Sequence, residues 1–405
     1  MSTATFAELA ADLDRLCEAR AAVYPVRDAI HQELTDRLVD FCQWLQTQQS
    51  AGWQPDAALV SQAESMQPLF VGGFYKSGTT MVLNLLDGHP QLSALPGDAK
   101  LLQWARRGLA FPPDQRAQLI REHWIHTLVN PTGQPPFWLF GHDAEPHLTF
   151  LNYLDYWLAH DCESLQSLME SVACAYFAAN PMRPSNPKFW VDKTPLQELD
   201  LDALRDLYPG AKFVHVVRNP LAIFAAMKTM ADTRENKFRM DHMIDLLRDS
   251  LRKGMEYRQS LDYIVLRYED AVQQPRDTME SAASQLGISF HESLLEPTIN
   301  GMPSTPNSAY DNNREQGKIH AKSLERWRDQ LTSREIALIV DQLYDEATAL
   351  GYDWSELRLS SVRRASLRLT HTLTRKFCEP VSHLARRAQQ SFRYRVLRRS
   401  DSATE

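Results

Sequence analysis

The chain reads as an α/β protein of three layers, a central parallel sheet flanked by helices. Three observations predict this. Residues 68–84 (PLFVGGFYKSGTTMVLN) pass from an apolar, β-prone run (Leu69, Phe70, Val71) through a glycine-bearing turn into an apolar helical pattern (Met81, Val82, Leu85, Leu86). Three more short apolar runs follow, at 188–193 (KFWVDK), 212–218 (KFVHVVR) and 263–269 (YIVLRYE). The segments between them have helical periodicity and the length a crossover needs, and strands that alternate with helices pair in parallel.

Taken in order, residues 1–49 read as helical, with Leu9, Leu13 and Leu16, then Ile30, Leu34, Leu38, Phe41 and Leu45 recurring at three and four. Pro25 separates two helices there. A linker at 52–55 and a polar helix through Ser65 lead to the first strand, and Asp87-Gly88-His89-Pro90 stops the helix after the turn. Residues 92–100 (LSALPGDAK) return to the edge of that turn and start another helix. Residues 101–179 are mainly helical, broken at 130–147 by NPTGQPPFWLFGHDAEPH, which is either a binding loop or the packing of a buried crossover. The later strands end in Asp192-Lys193-Thr194, Arg218-Asn219 and Arg267-Tyr268-Glu269-Asp270, so four strand ends converge on one crevice. Residues 288–319 are turn-rich, as in a lid or flexible loop, 323–350 are helical, and Gly351-Tyr352-Asp353-Trp354 closes the body. The expected domains are a helical extension over 1–65, an α/β domain over 66–354 and a basic, helical tail over 355–405.

Composition narrows the class. The net charge is −7 overall, yet residues 361–405 hold eleven Arg and Lys against three Asp and Glu, so an acidic body carries a basic tail. That tail suits contact with an acidic membrane face or with the acidic body, or is simply a solvated helix. No apolar run reaches the length of a membrane span, and the first residues lack a basic region followed by an apolar one, so a cytoplasmic protein is expected. The five cysteines are scattered and form no CxxC pair, which speaks against a disulfide framework or a thiolate metal site.

A glycine-bearing loop between strand and helix aims backbone N–H groups and a positive helix end at one point, where a phosphate or sulfate sits. A Walker A loop reads GxxxxGK[ST], whereas residues 73–80 read GFYKSGTT, with Thr79 after the second glycine and the lysine displaced to Lys76. This disfavours a nucleotide-dependent kinase, whose lysine reaches the phosphates from the helix start.

The KSGTT arrangement resembles the 5′-phosphosulfate loop of sulfotransferases that use 3′-phosphoadenylyl sulfate (PAPS). The resemblance continues in order through FWVDKTP at 189–195, VHVVRNPLAIFAAM at 214–227, LRYEDAVQQP at 266–275 and REQGKIHAKSLERW at 314–327. It implies a P-loop-like α/β fold and transfer of a sulfuryl group from PAPS to a hydroxyl or amine, with no metal required. The implied partners are a sulfonucleotide and an acceptor that the sequence does not identify. No nucleic acid is expected, and an oligomer is compatible.

The resemblance also implies roles. Lys76 stabilises the leaving phosphate, and Ser77, Gly78, Thr79 and Thr80 hold the 5′-phosphate. Lys193 assists on the sulfate or acceptor side. Arg218 matches the arginine that pairs with the 3′-phosphate, Tyr268 lies beside the adenine, and Gly317 with Lys318 closes over the 3′-phosphate. Where the family usually has a 3′-phosphate serine this chain has Ala226, and Thr229, one turn on, is the substitute hydroxyl. Asp98 aligns with the catalytic acid of carboxylate-using relatives, and His142, Asp143 and His147 are the other candidate bases. A non-catalytic nucleotide-binding or membrane-associated protein is the alternative reading.

Overall fold

The structure, a computed structural model, describes residues 5–23, 29–49, 52–129, 138–233, 240–304, 315–321 and 324–358. Pro25, residues 130–137 of the aromatic interruption, residues 305–314, Cys378 and the basic tail from 359 onward lie outside the described residues. The chain forms two compact units, residues 1–331 and 332–405.

The first unit runs α1 (Phe6–Val23), α2 (Ala29–Gln48), α3 (Ala57–Glu64), β1 (Gln67–Gly72), α4 (Thr79–Leu86), β2 (Leu92–Ala94), α5 (Leu101–Leu109), α6 (Pro113–Thr127), α7 (Ala144–His160) and α8 (Leu165–Ala179). It continues with β3 (Phe189–Lys193), α9 (Leu201–Leu207), β4 (Lys212–Val217), α10 (Pro220–Thr233), α11 (Met240–Tyr257), β5 (Tyr263–Arg267), α12 (Tyr268–Gln273) and α13 (Pro275–Leu286). A short hairpin, β6 (Thr298–Ile299) and β7 (Met302–Pro303), and α14 (Trp327–Gln330) complete it. In the second unit α15 (Ser333–Ala349) starts from a capping box in which Thr332 and Glu335 satisfy each other's backbone N–H.

The sheet has the order β2-β3-β1-β4-β5 with every pairing parallel. Its strands read as nearly continuous apolar runs because both faces are covered. On one face Phe70 meets Trp190 and Phe213 at ring-centroid distances of 5.5 and 5.4 Å, within the core that the helices before β3 share. On the other, Leu69, Val71, Val191 and Val214 pack with the apolar sides of α4, α12 and α13. From central β1 the chain builds β2 and β3 on one side and β4 and β5 on the other. The carboxyl end of β1 is therefore the switch point of the sheet, where open α/β folds bind ligands. Register brings Val71 level with both Lys193 and Val214, so the expected strand ends do meet there.

Two elements differ from the expectation. Residues 92–94, read as a return segment, form edge strand β2 beside β3. The turn-rich stretch contains the β6–β7 hairpin, whose turn uses Asn300 and Gly301 at positive φ (51° and 74°). Asp87 Oδ2 holds that hairpin by accepting from Thr298 Oγ1 (2.7 Å) and the Gly301 N–H (2.8 Å).

Candidate active site

The loop after β1 is tightly built. Ser77 N–H donates to the Phe74 carbonyl (3.0 Å), and Val82 N–H to the Gly78 carbonyl (3.1 Å) as α4 begins. Gly78 is the N-cap at φ 102°, and Lys76 also has a positive φ of 65°. A Cβ on Gly78 would lie 2.2 Å from Tyr268 Cδ2, so only glycine lets this ring close on the loop. The first amides of α4 have no intrahelical acceptors, and no side chain caps them at Gly78. The Ser77 hydroxyl is buried and has no hydrogen-bond partner among the described residues. Orphaned hydroxyl and helix amides together form a donor set suited to a bound anion.

The ends of β4 and β5 fasten the loop from behind. Arg218 Nη1 donates to the Lys76 carbonyl (2.9 Å), and its guanidinium lies 4.4 Å from the Tyr268 ring centroid. Arg218 and Tyr268 are both buried. Glu269 Oε1 accepts the Asn219 N–H (2.9 Å), which ties the start of α10 to the start of α12.

From the other side, β3 delivers Lys193, only 1% exposed, whose ammonium pairs with Asp98 Oδ1 and donates to Thr80 Oγ1 (3.2 Å). Thr194 Oγ1 accepts the Lys100 N–H (3.0 Å) and donates to Asp192 Oδ1 (3.1 Å), while Gln197 Nε2 donates to Asp192 Oδ2 (2.6 Å). Burial pushes the Asp192 carboxyl up to about 6 despite these bonds. This network fixes the segment carrying Asp98, whose side chain stays 44% exposed with Oδ2 unbonded among the described residues. Thr80 of the loop, Asp98 before α5 and Lys193 of β3 therefore come together from three separate stretches at the end of β1.

The remaining candidates are placed differently. His142 Nε2 pairs with Asp14 of α1 (2.9 Å), and among the described residues no hydrogen bond or ion pair joins it to the loop or to Lys193. His147 is fully buried among Phe6, Phe41, Trp138 and Phe140, and burial pushes its pKa down to about 4, so it is neutral. Asp143 caps α7 by accepting the Glu145 N–H (3.1 Å). Within the described part of the interruption, Trp138 and Phe140 are core residues, so its aromatic content is packing. The Thr229 hydroxyl donates back to the Ala225 carbonyl (3.2 Å), one turn below. Gly317 N–H donates to the Ser304 carbonyl (2.9 Å), and Lys318 pairs with Glu315 (2.6 Å).

One residue at the site has no counterpart in the sequence reading. Glu198, in the turn after β3, accepts the Gly73 N–H on Oε2 (2.6 Å) and is 2% exposed. It reads as one polar residue in QELD, and only the fold brings it under the loop.

The profile of the Sulfotransferase family matches residues 68–292, more than half of the chain. Nodulation protein NoeE of Sinorhizobium fredii (strain NBRC 101917 / NGR234) is 22% identical over 326 residues, which are 73% of this chain and 69% of that protein. The sulfotransferase domain of the olefin synthase of Synechococcus PCC 7002 aligns with a TM-score of 0.46 and 19% identity, covering 74% of this chain and 98% of that one. Sulfotransferase STF9 of Mycobacterium avium aligns at 0.40 and 12% identity, covering 87% and 93%. The matched region runs from the anion loop through Lys193, Arg218 and Tyr268, and the chain belongs to the sulfotransferase family.

Proposed function

We propose that this chain transfers a sulfuryl group from PAPS to a hydroxyl or amine acceptor, releasing adenosine 3′,5′-bisphosphate (PAP). The observation that carries the reading is the loop. Lys76 precedes Gly78 rather than following it, and the Ser77 hydroxyl, beside the start of α4, is buried with no partner among the described residues. In this reading the Ser77–Thr80 segment holds the 5′-phosphate. Arg218 holds the loop through the Lys76 carbonyl and, with Gly317 and Lys318, serves the 3′-phosphate side. Tyr268 is the wall for the base, and Thr229 is the only hydroxyl assigned in place of the absent serine at Ala226.

The chemistry follows from where charge develops. The acceptor atom attacks sulfur in line, the bond from sulfur to the bridging oxygen breaks, and negative charge grows on the departing 5′-phosphate, where Lys76 neutralises it. Asp98 is the base, because its partly exposed side chain is fixed beside Thr80 by Lys193 through Oδ1, leaving Oδ2 unbonded among the described residues. His142, engaged by Asp14, is not assigned a part. Lys193 orients Asp98 and offers its ammonium to the transferring group.

Turnover of radiolabelled PAPS against a panel of alcohols, phenols, sugars, amines and lipids tests this reading. Transfer to one acceptor class is expected, lowered by roughly 10²–10³ in Lys76→Ala, the usual loss when one preorganised charge stabiliser is removed. Full activity in that variant overturns the role of Lys76.

A further inference from the structure

Beneath the anion loop lies a buried polar chain that the transfer reaction does not use. Gly73 N–H donates to Glu198 Oε2 (2.6 Å), the Ser250 hydroxyl of α11 donates to Glu198 Oε1, and His215 Nε2 of β4 lies 3.3 Å from Ser250 Oγ and 3.9 Å from Oε1. Tyr263 of β5 ends the chain, its hydroxyl 2.8 Å from His215 Nδ1. Gly73 separates this carboxyl from the proposed anion site: a Cβ there would lie 2.8 Å from the orphaned Ser77 Oγ. One glycine thus stands between a buried carboxyl and the position assigned to a phosphate.

We propose that Glu198 is a positioning residue for the anion loop and takes up one proton from solvent when the donor nucleotide binds. This rests on the reading of residues 73–80 as the 5′-phosphate loop. An anion held by the loop would stand one glycine away from a carboxylate that is itself buried, and of the two like charges the carboxylate is the one able to neutralise. The groups facing Glu198 favour the same outcome. His215 is neutral, its pKa pushed down to about 3 by burial, and Ser250 and Tyr263 are neutral hydroxyls. Asp200 on the same turn adds negative charge, and Tyr75 of the loop is a neutral phenol whose pKa is raised by burial first and then by the charges of Asp98 and Glu198. Burial is the largest influence and pushes Glu198 up to about 7, so small changes of field move its proton.

The chain accommodates either state. With Glu198 ionised, Ser250 donates to Oε1, His215 Nε2–H to Ser250, and Tyr263 to His215 Nδ1. With the proton on Oε1, that group donates to Ser250 Oγ, Ser250 donates to His215 Nε2, and His215 carries its own proton on Nδ1. In both states Oε2 accepts the Gly73 N–H, so the loop keeps its shape while the charge beneath it disappears.

Isothermal titration of the full chain with PAP, in two buffers of different ionisation heat, counts the protons. Above pH 7 the phosphates of PAP no longer titrate appreciably. The wild type should then take up about half a proton per PAP at pH 7 and nearly one at pH 8, with Kd weakening toward tenfold per pH unit. Glu198→Gln should bind PAP with neither uptake nor that pH slope. A difference infrared spectrum of the wild type should gain a carboxylic-acid band on PAP addition, which does not depend on the variant folding. PAP binding without proton uptake, or equal uptake in Glu198→Gln, overturns the coupling and leaves the donor assignment standing. No PAP binding by folded wild type overturns both.

Discussion

In a Gly78→Ala variant the new Cβ would lie 2.2 Å from Tyr268 Cδ2 and 2.7 Å from Cε2, with the backbone at φ 102°. Two costs combine. The positive φ costs a non-glycine residue about 1–3 kcal/mol, and displacing a ring held between the loop and Arg218 costs a similar 1–3 kcal/mol by overpacking. The second cost vanishes if the ring is absent, so the effect can be dissected with a Tyr268→Ala background. Tyr268→Ala alone should lose about 3–5 kcal/mol, as for other buried aromatic truncations. Adding Gly78→Ala to it should then cost only the backbone share, which leaves a coupling of about 1–3 kcal/mol between the two sites. Urea denaturation followed by tryptophan fluorescence measures all four corners of the cycle. Equal losses from Gly78→Ala in both backgrounds would refute the claim that the ring closes directly on this glycine.

The Lys193–Asp98 pair should respond asymmetrically. Asp98→Asn strands an ammonium that is 1% exposed and should cost about 3–5 kcal/mol, whereas Lys193→Met leaves a carboxylate that is 44% exposed and should cost less, both read from urea midpoints. Stability should also carry an unusual pH slope from Glu198, whose folded pKa near 7 exceeds its ordinary value of 4.5. Its contribution is complete below pH 4.5 and is lost as pH rises through about 7, on the order of 3 kcal/mol, and Glu198→Gln should flatten that window. Asp192, raised from 3.8 to about 6, adds a slope of the same sign that Asp192→Asn removes. At the hairpin, Asp87→Ala removes the acceptor for Thr298 and Gly301, and hydrogen exchange at the Gly301 amide should accelerate while β1 amides stay protected.

What the sequence disclosed and what it hid divide along physical lines. Strands β1, β3, β4 and β5 were legible because a strand buried on both faces must be mainly apolar, and each carries such a run (residues 69–71, 189–191, 213–217 around His215, and 263–266). β2 was not, since Leu92-Ser93-Ala94 is too short to show a period. The β6–β7 hairpin left an Asn-Gly signal at 300–301, but its two-residue strands gave no alternation to confirm it. At the site, Lys76, Thr80, Asp98 and Lys193 were each found beside a glycine, proline or strand end, where backbone geometry advertises a special position. Glu198 had no such marker, because its function depends on Gly73 and Ser250, distant in sequence and joined only by the fold. The aromatic interruption left two readings open, a binding loop or core packing. Trp138 and Phe140 serve the core, where large rings supply burial without any ligand.

The most direct test of the account is selective stabilisation by nucleotides. Thermal denaturation of the full chain with PAP, ATP or adenosine 5′-phosphosulfate compares a ligand bearing both phosphates of the proposed donor site with two that lack the 3′-phosphate. At one hundred times its Kd a ligand stabilises by about 2.7 kcal/mol, which a melting curve resolves. The account predicts a clear rise in Tm with PAP and a small one with the others. Equal shifts for all three, or none with PAP, would contradict it.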